Sequence, residues 1–207
     1  TILAAQKMMT LHHGGAKAML LKLTALISTL TPDLLTEDLI DAISRLTSTI
    51  ALMTFESEEL RADLLAPLFQ CLSEKAPASA LFKNMPSIIM SCKDALILCS
   101  STAVEALAAA TLNKVAETAH NHPDNLVVYS CLVPIRDALK DTPDPKLQVH
   151  FIAALEHLLL PAEERMATEE TIRLLMQVQS NIVVTSNNVE AELNFIALLR
   201  TLVRASK

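Results

Sequence analysis

The sequence predicts an all-α protein whose helices stack as repeated pairs, the architecture of an α-solenoid. Composition is the first reason. The 207 residues are 51% hydrophobic but include only two glycines, which are adjacent at Gly14 and Gly15. Sheets and long loops need glycine where a turn requires a positive φ, whereas the abundant leucine and alanine are strong helix formers. The second reason is that predicted helix starts recur every 44 residues.

The helix starts form two interleaved sets. One set, called A, has starts near Thr36, Ala80, Asp124 and Thr168. The other set, called B, has starts near Ser57, Ser101, Pro145 and Val189. Threonine, serine and aspartate are good N-cap residues, because their side chains accept a hydrogen bond from a first-turn amide. One step back from Ser57 reaches His13, which predicts a leading B helix over about 15–30, with residues 1–12 as the remnant of an earlier A helix.

These helix pairs divide the chain into repeats of one domain spanning 1–207. We expect a partial repeat at roughly 1–32 and full repeats at 33–76, 77–121, 122–165 and 166–207. A single pair cannot bury its apolar face alone, so stacked pairs share one continuous core. Because the chain starts at Thr1 without Met, we expect it to be a fragment of a longer protein.

Apolar residues at helical spacing predict which sides of the B helices face the core. In the helix after Ser101 they are Val104, Leu107, Ala108, Leu112 and Val115, and in the last helix they are Leu193, Ile196, Leu199 and Val203. Interior prolines remove a hydrogen bond and kink a helix. We therefore expect Pro86 and Pro134 each to divide an A helix into a short first segment and a longer second one.

Three stretches resemble a known family. "GGAKAMLLKL" resembles the start of the third helix of an armadillo repeat, and "HPDNLVVYSCLVPIRDAL" and "SNNVEAELNFIALLRTLV" resemble the turn and following helices of such repeats. A unit of about 40–47 residues is also typical of armadillo and HEAT repeats. The resemblance covers essentially the whole chain. It implies a right-handed α-solenoid that acts as a non-catalytic scaffold and binds partners on a concave face lined by the B helices.

Charge and cysteine usage restrict the partners and the compartment. The net charge is −6 and aromatic residues make up 3% of the chain, which disfavours nucleic-acid binding, since that needs a basic face and stacking platforms. The four cysteines, none of which forms a Cys-x-x-Cys pair, lie in apolar helical segments and are expected to be buried, reduced thiols of an intracellular, cytoplasmic protein. No uncharged apolar run has the length of a membrane span.

The tripeptide His122-Pro123-Asp124 matches the loop motif of J-domain co-chaperones, but its context does not. A J-domain needs a basic helix before this motif, whereas the preceding helix has a single lysine, Lys114. We therefore interpret the tripeptide as a turn in which Asp124 begins the next A helix. No metal site is predicted, because the histidine pairs lack partners at zinc spacing.

No catalytic motif is present, so we predict neither an enzyme nor a cofactor. The sequence has no nucleophile elbow, no phosphate-binding glycine loop and no His-Glu-x-x-His. Alternatives to a binding scaffold are a regulatory helical domain of a larger enzyme, a tubulin-binding assembly of the TOG type, and a compact bundle with a buried ligand. Importin-α-like recognition is disfavoured, since the chain has no Trp.

Positions 44 residues apart on the B helices predict a partner-binding face beside a row of alanines. The candidate residues are Asn113, Glu117, His150, His157, Asn194 and Thr201. Residues three, four and seven apart share one face of a helix, and this face lies away from the leucine and isoleucine stripe. Small alanines between polar side chains would let an extended peptide or a helix approach. Self-association through terminal repeats is a further expectation.

Overall fold

The computed structural model describes residues 14–55, 57–142, 144–159, 172–173, 175–176 and 189–205, and regular structure in these ranges is entirely helical. The principal helices are α1 (Gly14–Ser28), α2 (Glu37–Leu52), α3 (Glu58–Gln70), α4 (Ala78–Leu81), α5 (Met85–Leu98), α6 (Thr102–His120), α7 (Asn125–Asp141), α8 (Pro145–Leu159) and α9 (Val189–Ala205). A π-helical turn, Cys71–Lys75, extends α3, and short 3-10 turns cover Pro32–Leu34 and Phe82–Asn84. The all-α class is thus confirmed for the described residues.

Cap chemistry sets the helix starts. Thr36 precedes α2 and its hydroxyl accepts from the Leu39 amide at 3.4 Å, while Ser57 precedes α3 and accepts from Leu60 at 3.2 Å. The four B helices α3, α6, α8 and α9 begin at Glu58, Thr102, Pro145 and Val189, so their steps are 44, 43 and 44 residues. The predicted starts at His13 and Thr168, and the stretch 1–12, lie outside the described residues.

The chain forms two compact units, Thr1–Thr111 and Leu112–Lys207, and α6 contributes residues to both. In the first unit α1 packs on α3, and α2 packs on both α3 and α5. In the second unit α8 packs on α7 and α9. B helices therefore contact B helices in both units (α1 with α3, α8 with α9), and the A helices α2 and α5 contact each other in the first.

Serine side chains join α2 to α5 in the first unit. The Ser44 hydroxyl lies 2.8 Å from the Ser91 hydroxyl and 3.0 Å from that of Ser87, and Ser48 donates to Asp94 at 2.8 Å. These partners are 43 to 47 residues apart in the chain. Serines are small enough to let two helices approach closely, and their hydrogen bonds satisfy the buried hydroxyls. Residues about one predicted repeat apart are thus direct neighbours.

The two prolines expected to divide A helices behave differently. At Pro86 the division is confirmed, because α4 and a 3-10 turn precede α5, and Pro86 lies in the first turn of α5. At Pro134 the expectation is wrong, because α7 runs without interruption from Asn125 to Asp141. Cys131, Leu132 and Ile135 are buried around Pro134, and burial on both sides of the proline holds the helix together despite its missing hydrogen bond.

The predicted core stripes also have different outcomes. In α6 the stripe is confirmed, with every member buried except Leu107, which is half-buried. In α9 the prediction is wrong at both ends of the stripe, because Leu193 is 60% exposed and Val203 43% exposed, while Ile196 and Leu199 are half-buried. Among the α9 side chains that the structure describes, the buried ones are Phe195 and Leu198. The physical reason is that no described element covers the side of α9 that carries Leu193 and Val203.

The helices end without glycine. The C-cap residues Met53, Ala76, Cys99 and Thr142 all have negative φ and extended ψ, whereas a glycine C-cap would take the left-handed conformation. A helix leaves its last four carbonyls without helical partners. In this protein, side chains from other positions reach those carbonyls.

Arg61 shows this capping most fully. Its guanidinium donates to the carbonyl of Met53, just after α2, at 2.9 Å and to the carbonyl of Leu98, the last residue of α5. It also pairs with Glu58 at 2.8 Å and lies over the ring of Phe55. A cation at a helix C-terminus interacts favourably with the helix dipole. Arg61 of α3 therefore ties together the ends of two A helices.

Other helix ends receive similar bonds. Lys75 donates to the carbonyls of Ser28 and Leu30 at the end of α1. In the second unit, the amide nitrogen of Gln148 donates to the Thr142 carbonyl at 2.9 Å, and Nδ1 of His120 donates to the Leu158 carbonyl at 3.0 Å. In each case a side chain of one helix, or of its extension, donates a hydrogen bond to a carbonyl at the C-terminal end of another helix.

We expect Arg61→Met to lower the free energy of unfolding by about 2 kcal/mol, because hydrogen bonds from a charged group to two carbonyls are lost. Urea denaturation followed by circular dichroism measures this. The matched control is Arg45→Met, since the Arg45 side chain is 69% exposed and, among the described residues, pairs with Asp41 one turn away. Its cost should stay below about 0.5 kcal/mol. Equal costs for the two variants would contradict the capping role of Arg61.

Candidate functional site

The less buried side of α8 carries two of the predicted site residues. His150 and Ala153 are half-buried and His157 is exposed. Spacings of three, four and seven residues place all three on one side of the helix. The other side of α8 is buried through Phe151, Ala154, Leu155, Leu158 and Leu159. The two candidate histidines of α8 thus lie on its less buried side, with Ala153 between them.

The part of α6 that belongs to the second unit carries two more candidates, Asn113 and Glu117. Asn113 is half-buried and Glu117 is exposed, one turn apart. Between them Val115 and Ala116 are buried on the core side. The hydrogen bond from His120 to the Leu158 carbonyl joins the C-terminal ends of α6 and α8. This bond brings the two helices that carry Asn113 and His157 into contact.

The remaining candidates lie on α9. Asn194 and Thr201 are helical, but their side chains are outside the part of the molecule that the structure describes. Ala197, between them in the helix, is exposed. Because α9 packs on α8, the two helices bring the positions of His150, His157 and Ala197 into one unit.

Asn113 has an unusual environment for a half-buried amide. Its Oδ1 atom is buried and has no hydrogen-bond partner among the described residues. A buried acceptor without a donor costs about 1–3 kcal/mol, and native proteins keep few such atoms. Asn113 is thus a partly accessible residue with an unpaired buried acceptor.

A carboxyl group, that of Glu156, lies beside the histidines on α8. Burial raises the pKa of the Glu156 carboxyl above its usual value, and the neighbouring His157 opposes this shift. The two side chains lie on the accessible part of α8. Imidazole, carboxylate and amide groups together can both donate and accept hydrogen bonds.

The stretch from His120 to Asp124 forms the turn between α6 and α7. The Asp124 amide donates to Nδ1 of His122 at 3.1 Å, and the Asp124 carboxylate accepts from the Leu126 amide at 2.9 Å. Asp124 is thus the N-cap of α7, as predicted. The His-Pro-Asp tripeptide is explained by local turn and cap geometry.

The described residues offer neither a metal-ligand cluster nor a reactive thiol. They contain no group of three or more histidine, cysteine or acidic side chains placed to hold a metal ion. Cys71, Cys92, Cys99 and Cys131 are buried. Burial raises the pKa of Cys92 and Cys99 above the usual range and raises that of Cys131 to about 12. None of the described helices is long and apolar enough to cross a bilayer.

One surface was missed by the sequence reasoning. A groove of about 430 Å³ in the second unit is lined by Ile172, Met176, Ile196, Leu199, Arg200, Val203 and Arg204. Three of these residues were assigned to the core stripe of α9. The available signal was the pair Arg200 and Arg204, one turn apart, because two cations beside a supposed core stripe indicate that its edge is accessible.

We expect the four cysteines to react slowly with a thiol reagent in the folded protein. The thiolate is the reactive form, and both burial and the raised pKa suppress it. At pH 8, modification by a chromogenic disulfide should be at least about tenfold slower than in 6 M guanidinium, where all four thiols react. An unfolded thiol loses its proton near pH 9, whereas burial lets Cys92, Cys99 and Cys131 keep theirs to higher pH in the folded protein. Stability should therefore fall as the pH rises above about 9. Rapid reaction of the native protein would contradict this packing.

Comparison with known proteins adds no assignment. No protein-family model, curated protein or solved structure matches the chain. The function is therefore argued from the chain's own residues.

Proposed function

We propose that the chain is an armadillo/HEAT-type α-solenoid that acts as a non-catalytic scaffold and binds a partner peptide or helix on the concave face of its B helices. Three observations support the architecture. B helices contact B helices in both units. Their starts recur at 43 or 44 residues. Hydrogen bonds join α2 to α5 across 43 to 47 residues. Each is what stacked repeats of one length produce.

The binding role depends chiefly on Asn113. Its buried Oδ1 has no donor among the described residues. A partner amide that donates a hydrogen bond to this oxygen would remove the free-energy cost of leaving it unpaired. Buried polar groups left unpaired are expensive, and this makes pairing on binding favourable. The same site lies on the helix that the His120 bond joins to α8.

Recognition would proceed by hydrogen bonds from side chains on either side of Ala153 and Ala197, two alanines that form the floor of the binding surface. Ala153 and Ala197 present only a methyl group at the surface, so a peptide backbone can lie close to the helices. His150 and His157 flank this floor on α8 and offer ring nitrogens as donors or acceptors. Side-chain amides and imidazoles contact backbone groups, which are common to all peptides. Specificity would then come from the peptide side chains that fit between the helices.

We expect the triple variant Asn113→Ala, His150→Ala, His157→Ala to bind a peptide selected from a displayed library at least about tenfold more weakly than the unchanged protein, because three polar contacts are removed. Fluorescence anisotropy with the labelled peptide measures the dissociation constant. The control is the double variant Lys140→Ala, Asp141→Ala, which alters exposed polar residues at the end of α7, a helix that carries none of the candidate residues.

The variants are first compared with the unchanged protein by circular dichroism and urea denaturation. A folded triple variant that binds every selected peptide with unchanged affinity would contradict the assignment of this face. Loss of affinity in the control double variant would contradict it as well.

A further inference from the structure

The groove on α9 differs from the equivalent surfaces of the preceding repeat. Its apolar lining comprises Ile172, Met176, Ile196, Leu199 and Val203. The residues 44 positions earlier are Val128, Leu132, Ile152, Leu155 and Leu159, and each is at most 2% exposed. In the groove, by contrast, Met176 is 59% exposed and Val203 43% exposed. The positions that are buried in the repeat of α7 and α8 are thus partly exposed at the groove, 44 residues later in the chain.

The covering element in the preceding repeat is helical. Ile152, Leu155 and Leu159 belong to α8, which packs between α7 and α9. The groove has the same kind of wall, because residues 172–173 and 175–176 are helical and α9 forms the other side. Two helical walls with aliphatic side chains fit a third helix, whose apolar stripe lies in the space between them.

The edge of the groove is positively charged. Arg200 and Arg204 are both exposed and lie one turn apart on α9. Neither forms an ion pair with a residue that the structure describes. This charge contrasts with the net charge of −6 of the whole chain. Two adjacent guanidinium groups beside an apolar floor favour carboxylates on the occupant.

We propose that this groove docks an amphipathic helix of a partner protein, with the apolar stripe of that helix on Ile196, Leu199 and Val203 and its acidic residues against Arg200 and Arg204. Anchoring by residues one turn apart is the usual geometry when a helix binds a groove. The apolar floor of the groove is distinct from the face assigned above. At about 100° per residue, Ile196, Leu199 and Val203 lie on a side of α9 between the core residues Phe195 and Leu198 and position 197. Arg204 lies at the edge, close to position 197.

Two fluorescein-labelled helical peptides test the proposal. Both carry leucine at the a and d positions of consecutive heptads. One has glutamate at the flanking positions and the other has lysine there. Anisotropy titrations should show saturable binding of the glutamate peptide with a Kd of about 10 µM or tighter, and binding of the lysine peptide at least about tenfold weaker. The difference should shrink as salt is raised.

Variants of the protein locate the binding site. Met176→Asp and Val203→Asp should each weaken the glutamate peptide at least about tenfold, and because both residues are exposed, the variants should keep the native circular dichroism. The double charge reversal Arg200→Glu, Arg204→Glu should invert the preference toward the lysine peptide. The matched control Leu126→Asp changes an exposed leucine of α7 in the same unit and should leave both affinities unchanged. The triple variant of the candidate face should also bind the glutamate peptide normally.

Several results would overturn the proposal. The first is absence of saturable binding of the glutamate peptide to the unchanged protein. Equal loss of affinity in Leu126→Asp and Val203→Asp, or an unchanged preference after charge reversal, would do so too. The last result concerns the oligomeric state, which light scattering measures. If the unchanged chain is a dimer and Val203→Asp is a monomer, the occupant of the groove is a second copy of the chain.

Discussion

The need to complete helix C-termini without glycine is the constraint on which the described packing depends. Extended C-caps leave carbonyls that must find donors elsewhere, and a buried carbonyl without a donor is costly. Arg61, Lys75, Gln148 and His120 supply those donors. All four of these side chains belong to a helix, or its extension, other than the one they complete. An end of one helix is therefore stable only when its neighbour is in place, which couples the helices energetically.

This coupling also leaves accessible surfaces on the middle turns of the helices. The capping side chains lie at or near helix ends, so the middle turns of α8 and α9 can keep short or polar residues on their accessible sides. Ala153 and Ala197 occupy such positions. On α9 a second side carries aliphatic residues with arginines at the edge. The two surfaces differ in chemistry, since one offers hydrogen bonding over a low floor and the other offers apolar contact with positive charge.

Local chemistry was predictable from the sequence, and long-range coverage was not. Thr36, Ser57 and Asp124 cap the helices they were predicted to cap, because an N-cap acts within its own first turn. Pro134 failed as a helix break because tertiary burial outweighs its local penalty. Val203 failed as a core residue because its burial depends on what covers it. The sides of α8 that carry the candidate site followed from helical period alone, whereas the buried acceptor of Asn113 depends on packing that no spacing reveals.

Cross-linking between α2 and α5 is the measurement that most directly tests stacking of like helices. The hydroxyls of Ser44 and Ser87 lie 3.0 Å apart in space and 43 residues apart in the chain. With both replaced by cysteine, mild oxidation of the folded protein should form a disulfide between them, since such a bond needs adjacent Cβ atoms. Peptide mapping by mass spectrometry identifies the bond. A Ser44–Ser87 cross-link in the double variant agrees with one repeat stacked on the next, and a folded double variant that forms none contradicts it.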